Sequence, residues 1–215
     1  MEISASVTSP RFADAPVEQP VMVLLHGYGS HEHDLPGIAA WLPRDLPWIS
    51  VRAPLSMPGG AAAWFPLALP EEPRQARVDD ATTALWGYLD EHVGVRPVIP
   101  IGFSQGGVMA TQLLRTRPSQ VTATAVLAGF VTVEGAAVDP SLKKRAPAVW
   151  WGRGDADAVI WPEAVARTDA WLSQHCTLTA RVYPGLGHGV NEQELLDLGA
   201  FLRNTLSDRP AGPAY

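Results

Sequence analysis

Short apolar runs that alternate with segments of helical periodicity constrain the fold of this 215-residue chain more than any other feature. Residues 21–25 read Val-Met-Val-Leu-Leu, a continuous run that is typical of a parallel-sheet strand buried on both faces. Residues 75–93 instead repeat apolar side chains at the spacing of a helix. Because such alternation produces right-handed crossovers, it predicts an α/β fold with a mostly parallel central sheet and helices on both faces.

The remaining elements extend the same alternation. We predict further strands at residues 48–51, 97–101, 122–127, 148–151 and 178–183, and further helices at 35–42, 162–173, 192–206 and from residue 104 to about residue 115. We expect Asp34 to cap the first of these helices. Five prolines between residues 53 and 74 exclude a long regular element there. In such sheets, ligands bind at the carboxyl ends of the strands.

Length and composition indicate one globular domain. With 215 residues, of which 47% are hydrophobic and 18% charged, the chain is long enough to bury a large core. We predict a single domain over residues 1–207, with minimal or no lid. The last eight residues, 208–215, read Asp-Arg-Pro-Ala-Gly-Pro-Ala-Tyr and are predicted to form a flexible tail.

Charge and cysteine content restrict the partners and the compartment. A net charge of -6 without long acidic runs argues against nucleic acid as a partner. The most apolar stretch, residues 121–133, is too short to span a bilayer, so we expect no stable membrane insertion. Cys176 is the only cysteine, which excludes an intrachain disulfide and favours the cytoplasm. No signal-peptide pattern begins the chain.

The segment Gly-Phe-Ser-Gln-Gly at residues 102–106 carries the strongest functional signal. It follows a predicted strand and precedes a predicted helix, the context in which a G-x-S-x-G serine lies on a sharp turn that its glycines allow to close. The hydroxyl of Ser104 then projects near the positive end of the following helix, where an oxyanion is stabilised. The motif predicts Ser104 as a nucleophile. The alternative is a small-residue turn without catalytic role.

A serine hydroxyl needs an adjacent base, which is usually a histidine held by a carboxylate. His188 lies in a glycine-rich loop between the last predicted strand and the last predicted helix, and we predict that it is the base. The other histidines are found at predicted helix ends, in a polar loop, or in a His-Gly turn that favours a structural role: His92, His175, His31, His33 and His26.

Two aspartates are candidates for the carboxylate. Asp155 and Asp157 both follow the strand predicted at 148–151. Asp155 is placed to bind turn amides, so Asp157 is favoured as the acid that orients His188, with capping of the next helix as its alternative role. The order Ser104, Asp157, His188 is the order expected of α/β-hydrolases.

Two backbone amides are needed to hold the oxyanion of an acyl-transfer reaction. The residue after the nucleophile, Gln105, is predicted to supply one of them. The second is expected from the loop after an earlier strand, where His-Gly-Tyr-Gly stands at 26–29, and Tyr28 is the predicted donor.

The proline-rich segment 53–74 is the candidate for a substrate-pocket wall because it carries large apolar side chains beside the strand ends. We predict that Trp64, Phe65 and His26 line the pocket. The alternative is that Trp64 and Phe65 fill the core of the domain.

With these residues in place, the chain resembles the phospholipase/carboxylesterase family of α/β-hydrolases, which includes acyl-protein thioesterases. The resemblance rests on five segments in order: Leu24-Leu-His-Gly-Tyr-Gly, Ala63-Trp-Phe-Pro, Gly102-Phe-Ser-Gln-Gly-Gly, Gly152-Arg-Gly-Asp-Ala-Asp-Ala-Val-Ile and Pro184-Gly-Leu-Gly-His. It implies hydrolysis of carboxylic esters or thioesters, a nearly bare catalytic domain, and no metal or cofactor. It also favours Asp157, because a Val-Val or Val-Ile pair closely follows the family's acid, here Val159-Ile160. Relatives often have proline where this chain has Ala158, and the thioesterases often have histidine where this chain has Trp151. These differences favour the bacterial-type carboxylesterases and put a depalmitoylating role in doubt.

These inferences lead to one principal hypothesis and two alternatives. The principal one is a serine carboxylesterase that hydrolyses small or short-chain esters through an acyl-enzyme on Ser104, acting as a monomer or homodimer on a small-molecule ester. The first alternative keeps the same three residues in a (lyso)phospholipase, acyl thioesterase or acyltransferase. The second is a non-catalytic binding protein on a hydrolase scaffold, which is disfavoured because nucleophile, base and acid are all available.

Overall fold

Nine strands and five α-helices make up the part of this computed structural model that is described, residues 1–133, 138 and 140–207. The strands are β1 (Ser6–Thr8), β2 (Val21–Leu25), β3 (Trp48–Val51), β4 (Leu55–Ser56), β5 (Ala62–Ala63), β6 (Val98–Phe103), β7 (Ala123–Leu127), β8 (Ala148–Gly154) and β9 (Thr177–Tyr183). The helices are α1 (Gln75–His92), α2 (Gln105–Thr116), α3 (Leu142–Arg145), α4 (Pro162–His175) and α5 (Glu192–Ser207), with 3₁₀ helices at Leu35–Trp41 and Pro58–Gly60. The tail predicted at 208–215 lies outside the described residues.

Seven of the strands form one sheet in the order β1-β3-β2-β6-β7-β8-β9. All neighbours in it are parallel except β1, which pairs antiparallel with β3. The predicted mostly parallel α/β sheet is therefore confirmed. The edge strand β1 was not predicted, because three residues, Ser-Val-Thr, are too few to show a hydrophobic period.

The sheet separates two apolar cores. In β2, Val21, Val23 and Leu25 pack on the face covered by α1, α2 and α4, whereas Met22 and Leu24 pack on the face covered by α5 and the 3₁₀ helix Leu35–Trp41. All five residues are buried, which explains why the strand is apolar without alternation. Helices on both faces are thereby confirmed.

Two elements differ in detail from the sequence prediction. The segment predicted as a capped helix at 35–42 is a 3₁₀ helix, and the side chain of Asp34 does not cap it. The Asp34 carboxylate instead accepts a hydrogen bond of 2.7 Å from the Ser30 hydroxyl. Strand β8 runs three residues further than predicted, to Gly154, and so carries Arg153 to the end of the sheet.

The segment at 53–74 forms only short pieces, as its prolines predict. Strands β4 and β5 pair antiparallel around the 3₁₀ turn Pro58–Gly60. Cys176, after α4, is partly buried, and this burial raises the pKa of its thiol to about 12. The thiol is therefore protonated and unreactive at neutral pH. No helix in the described residues is both long enough and apolar enough to cross a membrane.

Four strands end at the same edge of the sheet and deliver the residues of interest there. His26 follows β2, Ser104 follows β6, Asp157 follows β8 by three residues, and His188 lies in the loop after β9. This is the edge at which ligands bind in open parallel sheets.

Candidate active site

Ser104 lies on a strained turn between β6 and α2. Its backbone has φ 54° and ψ −116°, a conformation that non-glycine residues rarely adopt. The Ser104 amide donates a 2.8 Å hydrogen bond to the Leu127 carbonyl at the end of β7, which fixes the turn to the neighbouring strand. The side chain of Ser104 is thereby held beside the N-terminus of α2, where the helix dipole favours negative charge.

The two glycines of the motif are required by close packing. A Cβ atom on Gly102 would overlap the backbone carbonyl of Gly106, because the first turn of α2 folds directly back over β6. A Cβ on Gly106 would overlap the carbonyl of Leu25 at the end of β2. The sequence G-x-S-x-G is therefore what allows the helix to begin against two strands at once.

Hydrogen bonds join Ser104, His188 and Asp157 in one line. The Nε2 atom of His188 lies 2.8 Å from the Ser104 hydroxyl oxygen, and its Nδ1 atom lies 2.8 Å from Asp157 Oδ2. An ionised carboxylate only accepts hydrogen bonds, so the Nδ1–H group of His188 is the donor and Asp157 Oδ2 is the acceptor. With a hydrogen on Nδ1, Nε2 is the ring atom that can accept a hydrogen bond from the serine hydroxyl.

Of the two candidate acids, the structure brings Asp157 to His188. The second oxygen of Asp157 accepts hydrogen bonds from the amides of Val159 (2.8 Å) and Ile160 (3.2 Å), so its side chain is held in place and only 6% exposed. Asp155 instead accepts a hydrogen bond from the Gly185 amide, at 2.6 Å. Asp155 thus joins the turn after β8 to the loop after β9.

Close packing also seats the loop that carries His188. A Cβ on Gly154, at the end of β8, would overlap the Leu186 carbonyl, so glycine is needed there for the loop to approach. On its other side, the His188 ring lies 5.1 Å from the ring of Phe103, centroid to centroid. The imidazole is therefore held between the nucleophile turn and the acid.

The two predicted oxyanion donors lie in turns with free amides. In the described chain, the backbone amides of Tyr28 and Gln105 have no intramolecular acceptor. The Tyr28 turn is fixed by hydrogen bonds on either side, from Gly29 N–H to the Ala62 carbonyl (3.0 Å) and from Ser30 N–H to the Gly27 carbonyl (3.3 Å). Free amides at the edge of a sheet and at a helix N-terminus are the groups that oxyanion binding uses.

The prediction that Trp64, Phe65 and His26 line the substrate pocket is wrong. The side chains of Trp64, Phe65 and His26 are all fully buried, with 0% of each residue exposed. The Trp64 indole N–H donates to the His26 carbonyl (2.9 Å), and the His26 ring in turn accepts a hydrogen bond from the Ala53 amide (3.1 Å). Burial lowers the pKa of His26, so its ring is neutral. These side chains pack beneath the turn at residues 26–29, which carries the Tyr28 amide. Trp64 and Phe65 therefore have the core role that the sequence left open as the alternative.

The remaining histidines lie away from this line of hydrogen bonds. His92 stacks on Tyr88 at 4.0 Å, and His175 stacks on Trp171 at 4.6 Å. Within the residues that the structure describes, no group of three or more His, Cys, Asp or Glu side chains is placed to hold a metal ion.

Sequence reasoning did not identify Glu194 in α5. This residue is 0% exposed, and neither of its carboxyl oxygens has a hydrogen-bond partner in the described chain. It packs against Gly152, where a Cβ would overlap the Glu194 carboxyl. Burial, with a smaller contribution from Asp197, raises the pKa of Glu194 to about 8. Glu194, Leu198 and Leu202 follow one another at intervals of four residues, so they lie on the same face of α5. This spacing would have predicted the burial of Glu194.

The family model described as phospholipase/carboxylesterase matches residues 7–206. A probable carboxylesterase of Oryza sativa subsp. japonica is 27% identical over 169 residues, which cover 72% of this chain but only 63% of the rice protein. Acyl-protein thioesterase 1 of Saccharomyces cerevisiae is 25% identical over 212 residues, covering 86% of this chain and 92% of the yeast protein.

Among solved structures, the carboxylesterase of Bacillus cereus superposes with a TM-score of 0.80 and covers 93% of each chain at 19% identity. At this identity the likeness concerns the fold, and it confirms the α/β-hydrolase architecture that the sequence predicted. The family match spans all strands of the central sheet except the first residue of β1.

Proposed function

The chain belongs to the phospholipase/carboxylesterase family of α/β-hydrolases, and from this premise we propose that it is a serine carboxylesterase that cleaves small or short-chain esters through an acyl-enzyme on Ser104. Family membership makes it a carboxylic ester hydrolase. The mechanism, the site residues and the substrate class are the proposal. The observation that carries it is the hydrogen-bonded line from the Ser104 hydroxyl through His188 to Asp157, at 2.8 Å for each step.

In the first half-reaction, Ser104 Oγ attacks the ester carbonyl carbon while His188 Nε2 takes the hydroxyl proton. A bond forms between Oγ and the carbon, and the carbonyl oxygen becomes an oxyanion held by the Tyr28 and Gln105 amides. Asp157 orients the ring and stabilises the imidazolium. His188 then gives its proton to the leaving alkoxide, the carbon–oxygen bond to the alcohol breaks, and an acyl-serine remains.

In the second half-reaction, water attacks the acyl-serine with His188 as the base. The proton passes from water to Nε2 and then to Ser104 Oγ, which leaves as the hydroxyl when the carboxylic acid is released. No other reactant is needed, so the chemistry balances with ester and water alone.

The preference for small esters is supported by where the large apolar side chains lie. Trp64 and Phe65, the large apolar side chains that were predicted to line the pocket, are enclosed in the core. Tyr28, whose amide is a proposed oxyanion donor, is 45% exposed, which supports an open site on that side. A long acyl chain would therefore gain little burial, which is the main source of its binding energy.

A series of p-nitrophenyl esters tests the substrate class. We expect kcat/KM to be highest for the acetate or butyrate and lower for the palmitate, each measured on monomeric substrate. A clear preference for palmitate would contradict the proposed open site and favour the (lyso)phospholipase alternative.

Thioester hydrolysis is the second candidate, and the similarity to the yeast acyl-protein thioesterase favours it. The same triad would serve, since thioesters and esters pass through the same acyl-serine. Parallel assays on acetyl-CoA and S-acyl peptides separate the two activities. We also propose that the protein is cytoplasmic and is a monomer or a homodimer. Light scattering, which measures molar mass, would distinguish the two oligomeric states.

A further inference from the structure

Arg153 reaches the catalytic edge on the face of the sheet opposite α5. Its neighbour Gly152 faces Glu194 of α5, so the next residue along β8 points to the other side. There the Arg153 guanidinium carbon lies 5.7 Å from the centre of the Trp151 ring. The Trp151 indole donates to the Gly129 carbonyl (3.3 Å), in the loop after β7. Arg153 therefore lies between β8, this loop and the start of α4.

The charge of Arg153 is not balanced by any acidic side chain within 4 Å in the described chain. Its Nη1 atom makes one long hydrogen bond, 3.4 Å, to the Gly154 carbonyl, and its buried Nε atom has no partner. Two other partly buried arginines are paired at 2.8 Å, Arg52 with Glu32 and Arg167 with Glu72. Arg96 has no acidic partner within 4 Å in the described chain, but it donates to two backbone carbonyls, those of Val93 and Phe12, both at 3.2 Å. A partly buried cation without a counter-ion is costly unless something else pairs with it.

Arg153 lines a small cavity beside the proposed catalytic acid, Asp157. The cavity has a volume of about 20 Å³ and is bounded by Ala128, Gly129, Arg153, Gly154, Asp157, Ile160 and Val165. Gly129 approaches the nucleophile turn so closely that a Cβ there would lie 3.1 Å from the Ser104 carbonyl oxygen. A space of this size admits one water-sized group, such as one oxygen of a carboxylate, and excludes an alkyl chain.

We propose that Arg153 binds a carboxylate of the substrate, so that the enzyme prefers esters carrying a compact carboxylate near the scissile bond. The guanidinium presents donors that match a carboxylate in geometry and charge. The other anion at the cavity, Asp157, is occupied by His188 and the two backbone amides. This inference rests on the proposed esterase function and adds the charge class of its substrate.

Two matched substrate pairs test the inference and locate the carboxylate. Monoethyl glutarate and its neutral amide, ethyl glutaramate, place the group on the acyl side. Acetoxyacetate and acetoxyacetamide place it on the alcohol side. For at least one pair, we expect kcat/KM of the native enzyme to be about tenfold or more higher for the charged member, the size of one charge-assisted hydrogen bond.

The variant Arg153→Gln should reduce that ratio to about one while leaving kcat/KM for the neutral esters within about twofold. Arg153→Lys should retain part of the ratio. Arg181→Gln is the matched control, since it removes the same charge from the opposite face of the sheet, where Arg181 adjoins Thr179 and Phe201. It should leave the ratio unchanged.

Three results would overturn the inference. They are equal rates on both members of both pairs in the native enzyme, a ratio that persists in Arg153→Gln, and a loss of activity on neutral esters in a folded Arg153→Gln protein, which would make Arg153 a structural residue. Failure to hydrolyse any ester, charged or neutral, would instead contradict the proposed function itself.

Discussion

The side chain of Gln105 forms two hydrogen bonds with the backbone at Trp64 and Phe65. The Gln105 carboxamide oxygen accepts from the Trp64 amide at 2.9 Å, and the carboxamide nitrogen donates to the Phe65 carbonyl at 2.7 Å. Gln105 is 1% exposed and begins α2. The residue whose amide is proposed to hold the oxyanion therefore also fixes the proline-rich segment against the nucleophile turn. The glutamine of the motif has a structural reason of its own.

Replacing Gln105 with alanine should destabilise the protein and slow catalysis. The change leaves a buried N–H and a buried C=O without partners, at about 1–3 kcal/mol each. Urea unfolding of Gln105→Ala should show that loss, and kcat should fall because the amide of residue 105 loses its support. Gln193→Ala, which removes an exposed side-chain bond to Asp197, is the control and should change stability by less than about 0.5 kcal/mol. Equal stability of the two variants would contradict this account.

Alanine at Gly106 should be far more damaging than alanine at Gly87. The first adds a Cβ that overlaps the Leu25 carbonyl, whereas the second adds one that meets nothing within 4 Å. Overpacking against backbone should cost Gly106→Ala about 1–3 kcal/mol or more, with loss of activity. Gly87→Ala lies within α1 and should stabilise the protein by about 0.5–1 kcal/mol. Melting temperatures of both variants measure the contrast, and a neutral Gly106→Ala would refute the packing argument.

Changing each aspartate to asparagine separates the two candidate acids. Asp157→Asn removes the acceptor that fixes the tautomer of His188, and we expect kcat/KM to fall by about 10⁴-fold. Asp155→Asn keeps an oxygen that can accept from the Gly185 amide, so it should cost less than about tenfold. Steady-state kinetics on p-nitrophenyl acetate measure both. If kcat/KM fell further in Asp155→Asn than in Asp157→Asn, the assignment of Asp157 as the acid would be wrong.

Stability should fall as the pH rises toward 8 because of Glu194. Its native pKa is raised from 4.5 to about 8, so the folded protein keeps a proton that the unfolded chain releases above pH 4.5. Stability is therefore lost between about pH 4.5 and 8, and the loss amounts to a few kcal/mol. Glu194→Gln, which stays neutral, should lack this loss of stability.

Urea unfolding at pH 5, 7 and 9 gives the comparison for Glu194. The stability difference between Glu194→Gln and the native protein should grow in favour of the variant as the pH increases. A constant difference across the three pH values would contradict the assigned protonation. Glu192→Gln, on the same first turn of α5, is the matched control for loss of one acidic group.

The strands of the central sheet could be predicted from the sequence because burial on both faces leaves a distinct pattern. The run 21–25 coincides with β2, and the run 48–51 coincides with β3. Short elements were missed for the opposite reason. Strand β1 is stabilised by pairing with β3, and no local sequence pattern indicates that pairing. The Asp34 side chain accepts a hydrogen bond from Ser30 instead of capping the helix that follows it.

The line of residues at the catalytic edge could be inferred from chain order and motif context, but the pocket could not. An apolar side chain in a loop is favourable either beneath a site or around it, and the sequence of 62–66 does not distinguish these. The structure buries Trp64 and Phe65 completely. The structural role of the Gln105 side chain and the burial of Glu194 were overlooked because the groups that they contact, backbone groups at Trp64 and Phe65 and the glycine Gly152, are distant in sequence.

Hydrolysis of p-nitrophenyl acetate by Ser104→Ala tests the central claim most directly. The account predicts that kcat/KM falls by about 10⁴- to 10⁶-fold, and that acid-quenched native enzyme, but not the variant, carries an acetyl group on the peptide containing residue 104. The melting temperature of the variant should remain close to that of the native protein, since the side chain is small. A folded Ser104→Ala enzyme that retains activity would contradict the account.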